Sequence, residues 1–572
     1  MSFTDTYLTY RKHLGDVERF RTAKRQEEAA RRAAFEDKKL TPEELNLARK
    51  RGELLKRTID SLDEYSQTRT EDVESVTQTV LGESTTLLTA IGVGLGNLYQ
   101  ATDSGKRLKV GLARKMGRLR AAAPSVIPGV TGLVFAMLSS IPLLHSLTTI
   151  EVQTPRLSRF EGLKGELSNP NDYAILTDEQ IYQAQKDAKK LVIPENKPTD
   201  KTLLSSLNIF GQLKSYMGIV TKRAIYKKEK DDYEKRKEAL YSLKKQGNVT
   251  QAELDKAEET KEIVQRLVNK VGLDSQDYTE RVFAVLDVVS MCLFGFGVVG
   301  YWAVEKAMDL LKLKQGKLKS AIPWATSIAA IIMLNTKVAE YRNNAIRIAR
   351  HKNMNELLAD STNFLKTPKQ NVPKKIENVE KPKKQNIFSF MKQFYVDLNN
   401  YEEYAKVNML EDKKFKLAAR KLKLTPEQLK QARLTQANIF KSINKVDDNK
   451  KKYEERFDVF TMMLSTPMGL LAAAMGNAFG WTLHKLKAAP KSKMPLYSIL
   501  GTAVGLVPAI AIEVYTTIAV RKASRVAYMK AQEELNDEKY FLDCSDVGIN
   551  HNPFLKMSFK NSNRVFSQFK TF

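Results

Sequence analysis

Three acidic residues interrupt the apolar stretches of this chain: Glu83, Asp287 and Glu513. An ionisable group inside a membrane-crossing segment is a functional suspect, so a channel or transporter would rest on these carboxylates. Their placement argues against a shared role. When the chain's internal repeats are laid over one another without gaps, Glu83 falls opposite Cys292 and Pro467, and Asp287 falls opposite Gln78 and Met462. The simpler expectation is that each sits near an interface or snorkels toward one.

Other reactive groups are sparse. His13, His145, His351, His484 and His551 are scattered without HExxH or paired spacing, which leaves no expected metal site. Cys292 and Cys544 form neither a disulfide framework nor a zinc motif. No GxxxxGK[ST] phosphate loop, strand-borne GxGxxG or GxSxG elbow occurs. The chain therefore reads as non-catalytic, with no cofactor and no evident small-molecule substrate.

Charge points instead to an anionic partner. Lys and Arg number 93 against 66 Asp and Glu, a formal charge of +27 over 572 residues. Three basic loops carry much of the visible pattern: 102–120 with Lys106, Arg107, Lys109, Arg114, Lys115, Arg118 and Arg120; 305–320 with Lys312, Lys314, Lys317 and Lys319; 484–495 with Lys485, Lys487, Lys491 and Lys493. Each joins two apolar segments. The pairs are 79–99 with 124–147, 282–304 with 321–336, and 459–483 with 495–518, most of them near the ~20 residues that cross a bilayer. Trp302, Trp324 and Trp481 fall at the loop-side ends of these segments, where an interfacial aromatic belt would place them. Gly92 and Gly96, Gly476 and Gly480, and Gly501 and Gly505 have the spacing that lets helices approach closely.

The elements that carry these loops are repeated. "KKLTPEELNLAR" (38–49) returns as "LKLTPEQLKQAR" (422–433) and more loosely as "GNVTQAELDKAE" (247–258). Thr41, Thr250 and Thr425 each precede Glu44, Glu253 or Gln428 by three residues, a capping-box spacing that starts a helix. Pro42 and Pro426 occupy the first helical position, where a missing N–H costs nothing. Beyond each cap a heptad seam recurs. It comprises Leu55, Ile59 and Leu62 in the first copy, Val264, Val268 and Val271 in the second, and Ile439, Ile443 and Val446 in the third. The skipped position is Gly52, Lys261 or Gln436, either a register device or a solvent-facing turn.

Charged helical stretches at 5–37, 212–246 and 388–421 precede the caps, so each unit opens with an antiparallel hairpin. The openings are related, "NIFGQLK" (208–214) to "NIFSFMK" (386–392), and "NRVFSQFK" (563–570) resembles the start of a fourth copy. The expected fold class is all-α: three tandem repeats, each a long coiled-coil-like hairpin followed by a pair of apolar transmembrane helices. The units are 1–152, 208–340 and 386–520. Residues 153–207 form an insertion with a capped helix near Thr177, 341–385 a helix and a disordered Lys/Pro-rich linker, and 521–572 a tail.

The N-terminus lacks a signal-peptide apolar region, so insertion would use internal segments. The expected function is an integral membrane scaffold, tether or assembly subunit, with anionic lipid on the basic loops and a protein partner, or a second copy, on the hairpins. A channel or transporter is one alternative. A soluble or virion-internal basic protein on nucleic acid is the other, and it lacks stacking aromatics among its basic residues.

Overall fold

A computed structural model describes residues 3–36, 38, 40–63, 95–96, 98–115, 159, 169–192, 249–310, 317–368, 386–439, most of 441–450, 453, 494–537 and 541–542. For 290–303, 317–336 and 494–506 it describes the backbone alone. The described residues are helical throughout, with no strand among them. In chain order the helices are α1 (Phe3–Glu36), α2 (42–63), α3 (Asp103–Lys115), α4 (Asp178–Lys190), α5 (Gln251–Leu267), α6 (Ser275–Leu310), α7 (Lys317–Ala359), α8 (Ile387–Ala419), α9 (426–439) and α10 (Met494–Glu534).

The repeated phrase does what its spacing requires. Glu44 N–H donates to Thr41 Oγ1 at 3.1 Å and Thr41 N–H donates back to Glu44 Oε2 at 2.9 Å. The same reciprocal pair closes at Thr250 and Glu253 (3.3 and 2.9 Å) and at Thr425 and Gln428 (3.2 and 3.0 Å). Thr177 and Gln180 form a fourth such box at the start of α4. Two orphan N–H groups are satisfied each time.

Between α5 and α6 the helix continues through a π-helical stretch, Val268–Asp274, so one long rod changes its winding without ending. The looser winding brings Gly272 against the ring of Tyr528 of α10. A Cβ on Gly272 would stand 2.3 Å from Tyr528 Cε1, so no larger residue fits this packing.

Helices α6, α7 and α10 form the central bundle, with α1 lying along α10. The described hairpin helices do not stand apart as separate arms. Leu54 and Leu62 of the first hairpin share a core with Ala418, Ala419 and Ala432 of the third, and Tyr173, Leu176 and Ala184 of the 153–207 insertion lie in the same core. That insertion is clasped on both sides. Gln428 Nε2 donates to Gln180 Oε1 at 2.8 Å, Arg420 holds Asp172 through two bonds of 2.8 and 2.6 Å, and Lys50 pairs with Asp178 at 2.9 Å.

The heptad seam is divided among several intramolecular cores. Leu55 and Ile59 pack with Phe364 and Met354; Val264 and Val268 pack with Leu535, Phe541 and Leu542 of the C-terminal segment; Ile439 and Ile443 pack with the insertion core; Val446 packs with Tyr528. The skipped position faces inward in two copies. Gly52 is buried against Phe364 and Leu358, and Gln436 is buried as well.

Of the expected linker at 366–385, residues 369–385 lie outside the described residues. Its first residues are anchored on α5, with Thr367 N–H donating to Glu262 at 2.9 Å and Lys366 pairing with Glu258 at 2.6 Å. Also outside the described residues are segments 124–147 and 459–483, most of 79–99, the stretch 212–246 and the resemblance at 563–570.

Candidate functional site

Asp287 does not snorkel. It is 2% exposed, and it meets Arg342 of α7, whose guanidinium donates to one carboxylate oxygen, and Thr517 of α10, whose hydroxyl donates to the other. A charge placed this deep requires such partners, because an unpaired buried carboxylate loses its hydration without replacement. The expectation drawn from the sequence fails because the two partners lie 55 and 230 residues away.

Helix direction around this knot follows from a second contact on each side. Asn353 of α7 donates to Ser275 of α6 at 3.0 Å, and Gly272 lies against Tyr528 of α10. Both α7 and α10 therefore run antiparallel to α6, and their apolar halves extend to the same side of the knot. Leu310 lies 23 residues beyond Asp287, Lys317 lies 25 before Arg342 and Met494 lies 23 before Thr517. At ~1.5 Å per residue these three halves are each about 35 Å long, of which the charge-free stretches 288–304, 321–336 and 495–512 make up roughly 25 Å each.

On the opposite side the knot is backed by further ion pairs. Arg21 of α1 and Arg525 of α10 both hold Asp277 of α6, the latter at 2.8 Å, and Arg525 also pairs with Glu280. The Arg521 guanidinium lies 4.1 Å from the Phe283 ring centroid and that of Arg342 lies 5.7 Å from it, both in cation–π range. Farther away, Arg350 pairs with buried Asp63 at 2.7 Å and Arg159 with buried Asp447 at 2.5 Å. These pairs fix helix register; none leaves a nucleophile beside a base.

No known protein family, curated protein or solved structure matches this chain.

The sequence-predicted site residues divide three ways. Lys106, Arg107, Lys109, Arg114 and Lys115 lie on α3, so that part of the first basic loop is helical. Thr102 caps it, accepting from Gly105 N–H at 3.2 Å. Leu108 and Val110 are exposed on the same short helix as exposed Lys106, Arg107, Arg114 and Lys115, so its surface offers charge and apolar area together. Trp302 lies on α6, and Trp324, Lys317 and Lys319 lie on α7, at the ends remote from the knot. Arg118, Arg120, Lys312, Lys314, Lys485, Lys487, Lys491, Lys493, Trp481 and Glu83 fall outside the described residues.

Among the described residues, no helix is long and apolar enough to cross a membrane and no group of His, Cys, Asp and Glu could hold a metal ion. Segments 282–304, 321–336 and 495–518 lie within α6, α7 and α10.

Two polar clusters were not anticipated. One is a cleft of about 610 Å³ between α1 and α5, lined by both signs of charge, including Lys24, Glu27, Glu262 and Lys270. Its two innermost guanidiniums are already committed. Arg31 bonds Thr362 (2.8 Å) and Asn363 (2.5 Å), and Arg266 bonds the carbonyls of Asn363 (2.9 Å) and Leu365 (2.7 Å). Burial, then the neighbouring Arg31 charge, pushes Arg266 down to about 10. The other surrounds His351, whose ring lies tilted 4.1 Å from that of Tyr404 and which is bonded to Asn355 at 2.9 Å, with Lys56 and Asp60 of α2 nearby. Burial, with a smaller contribution from Lys56, holds this imidazole below its ordinary value. Long-range pairings of this kind leave no periodic trace in a sequence.

Proposed function

We propose that this chain is a non-catalytic membrane scaffold. Its hairpins form one packed body on one face, and its apolar helix pairs enter the bilayer from that body as bundled segments. The observation that carries the reading is the knot of Asp287, Arg342 and Thr517, from which the charge-free stretches 288–304, 321–336 and 495–512 of three helices, each roughly 25 Å long, run to the same side. That length is a little under a hydrocarbon core of ~30 Å, so the flanking lysines and glutamates would snorkel or the bilayer thin locally. Val289, Tyr515 and Val507, all within the apolar segments, are 42%, 72% and 64% exposed, as lipid-facing side chains would be.

Since no described helix is apolar enough to cross alone, the segments would enter as packed pairs, with polar groups satisfied inside the bundle. The basic loops, α3 among them, would then meet anionic headgroups on the far face. Transport is the weaker reading for Asp287, because both of its oxygens are engaged by protein partners.

With its seam residues packed inside the chain, the assembly surface offered to a partner would be the outer faces of the hairpin helices. Alkaline carbonate extraction of membranes carrying the full chain tests the reading. Retention in the pellet is expected. Release into the supernatant would make the apolar segments buried hairpins of a helical bundle and turn the basic loops toward nucleic-acid phosphates.

A further inference from the structure

The first three turns of α8 carry large apolar side chains on both sides, with Ser389, Lys392 and Gln393 exposed among the outer ones. Phe390, Phe394 and Leu398 face the core. On the outside Phe388 is 81% exposed, Tyr395 61% and Ile387 53%. The only charge between 387 and 396 is Lys392, which is exposed. An outer face that carries large apolar side chains beside polar ones and a single cation is that of a helix lying at a boundary between apolar and polar media.

Its place in the fold says which medium. Phe390 stacks edge-on against Tyr278 at 5.3 Å and lies under Arg281 at 5.5 Å, so α8 begins beside the first turns of α6, within about two turns of Asp287. Helix α1 begins at a similar height. Tyr10 Oη donates to the carbonyl of Ala519 at 3.2 Å, two residues past Thr517, and neighbouring Leu8 is 57% exposed with Arg11 and Lys12 exposed beside it. Exposed apolar side chains also stand two residues from the knot on α6, at Val289, and on α10, at Tyr515.

We infer that the opening turns of α8 and α1 form an interfacial collar: they lie in the headgroup and acyl boundary of an anionic bilayer on the hairpin side, with Phe388, Ile387, Tyr395 and Leu8 inserted and Lys392, Arg11 and Lys12 against phosphate. This rests on the membrane reading above. Basic residues at the edge of an apolar face are the chemistry of in-plane lipid binding. Asn386 starts α8 by accepting from Phe388 N–H at 3.2 Å.

The test uses the full chain in a Cys292→Ala and Cys544→Ala background, reconstituted in vesicles of phosphatidylcholine and phosphatidylglycerol. A fluorophore is attached at Phe388→Cys, Val507→Cys or Glu427→Cys, three exposed positions. Nitroxides placed either at the headgroup or deep in the acyl chain act as quenchers. The collar predicts that the label at 388 is quenched roughly twofold or more better by the headgroup nitroxide than by the deep one. The label at 507 should favour the deep nitroxide, and the label at 427, on the hairpin tip, should ignore both. Quenching at 507 without quenching at 388 overturns the collar, leaves the membrane reading intact and assigns the patch to a protein partner. No quenching at either position overturns both.

Discussion

Arg342 of α7 and Asp287 of α6 form an ion pair in which the carboxylate is 2% exposed, at the point where the two helices meet α10. Removing one partner strands the other charge. Asp287→Leu should destabilise the chain by about 3–5 kcal/mol, whereas the double variant Asp287→Leu with Arg342→Met should recover most of that loss. Unfolding of the purified chain in detergent, followed by helix content, reads both. Equal losses in the single and double variants would show that the pair is not coupled.

Gly52 and Gly15 make a matched contrast. A Cβ on Gly52 would stand 2.8 Å from both Leu358 Cδ2 and Phe364 Cε2, and Phe364 is almost fully buried, while nothing lies within 4 Å of a Cβ on Gly15. Gly52→Ala should cost about 1–2 kcal/mol through overpacking. Gly15→Ala, in an open stretch of α1, should gain about 0.5–1 kcal/mol from helix propensity. Thermal midpoints moving in opposite directions are the expected result.

The capping phrase, the all-helical content and the helix near Thr177 were legible because each depends on residues within one or two turns. Thr41 needs only Glu44. The seam at Leu55, Ile59 and Leu62 was legible as apolar periodicity, but not its partners. Those lie in Phe364, in the insertion and in the third hairpin, hundreds of residues away in part. The same limit hid the pairing of Asp287 and the burial of Gly52, since a glycine reads alike whether it faces water or a phenyl ring. It also hid the role of the insertion: Tyr173 and Leu176 pass for loop residues until Ala419 and Leu54 are seen to close over them.

His351 predicts an acid-sensitive contact between hairpins. It packs on Tyr401 and Tyr404 of α8 and faces Lys56 and Asp60 of α2, with Asn355 on its own helix. Its folded value lies below the ordinary ~6.5. Above that pH the imidazole is neutral in both folded and unfolded chains and its contribution is intact. As pH falls below it the unfolded chain binds the proton first and stability declines. His351→Gln should therefore shrink the drop in thermal midpoint between neutral pH and mild acid; an unchanged drop would place the sensitivity elsewhere.

In the membrane scaffold proposed above, the hairpin body and the basic loops lie on opposite faces of the bilayer. The most direct measurement is the accessibility of single cysteines at Lys106, on α3, and at Glu427, on the tip of the third hairpin, in sealed vesicles of uniform orientation. A membrane-impermeant thiol reagent is added before and after permeabilisation. One position should be labelled in intact vesicles and the other only after detergent is added; labelling of both in intact vesicles would contradict the opposite placement.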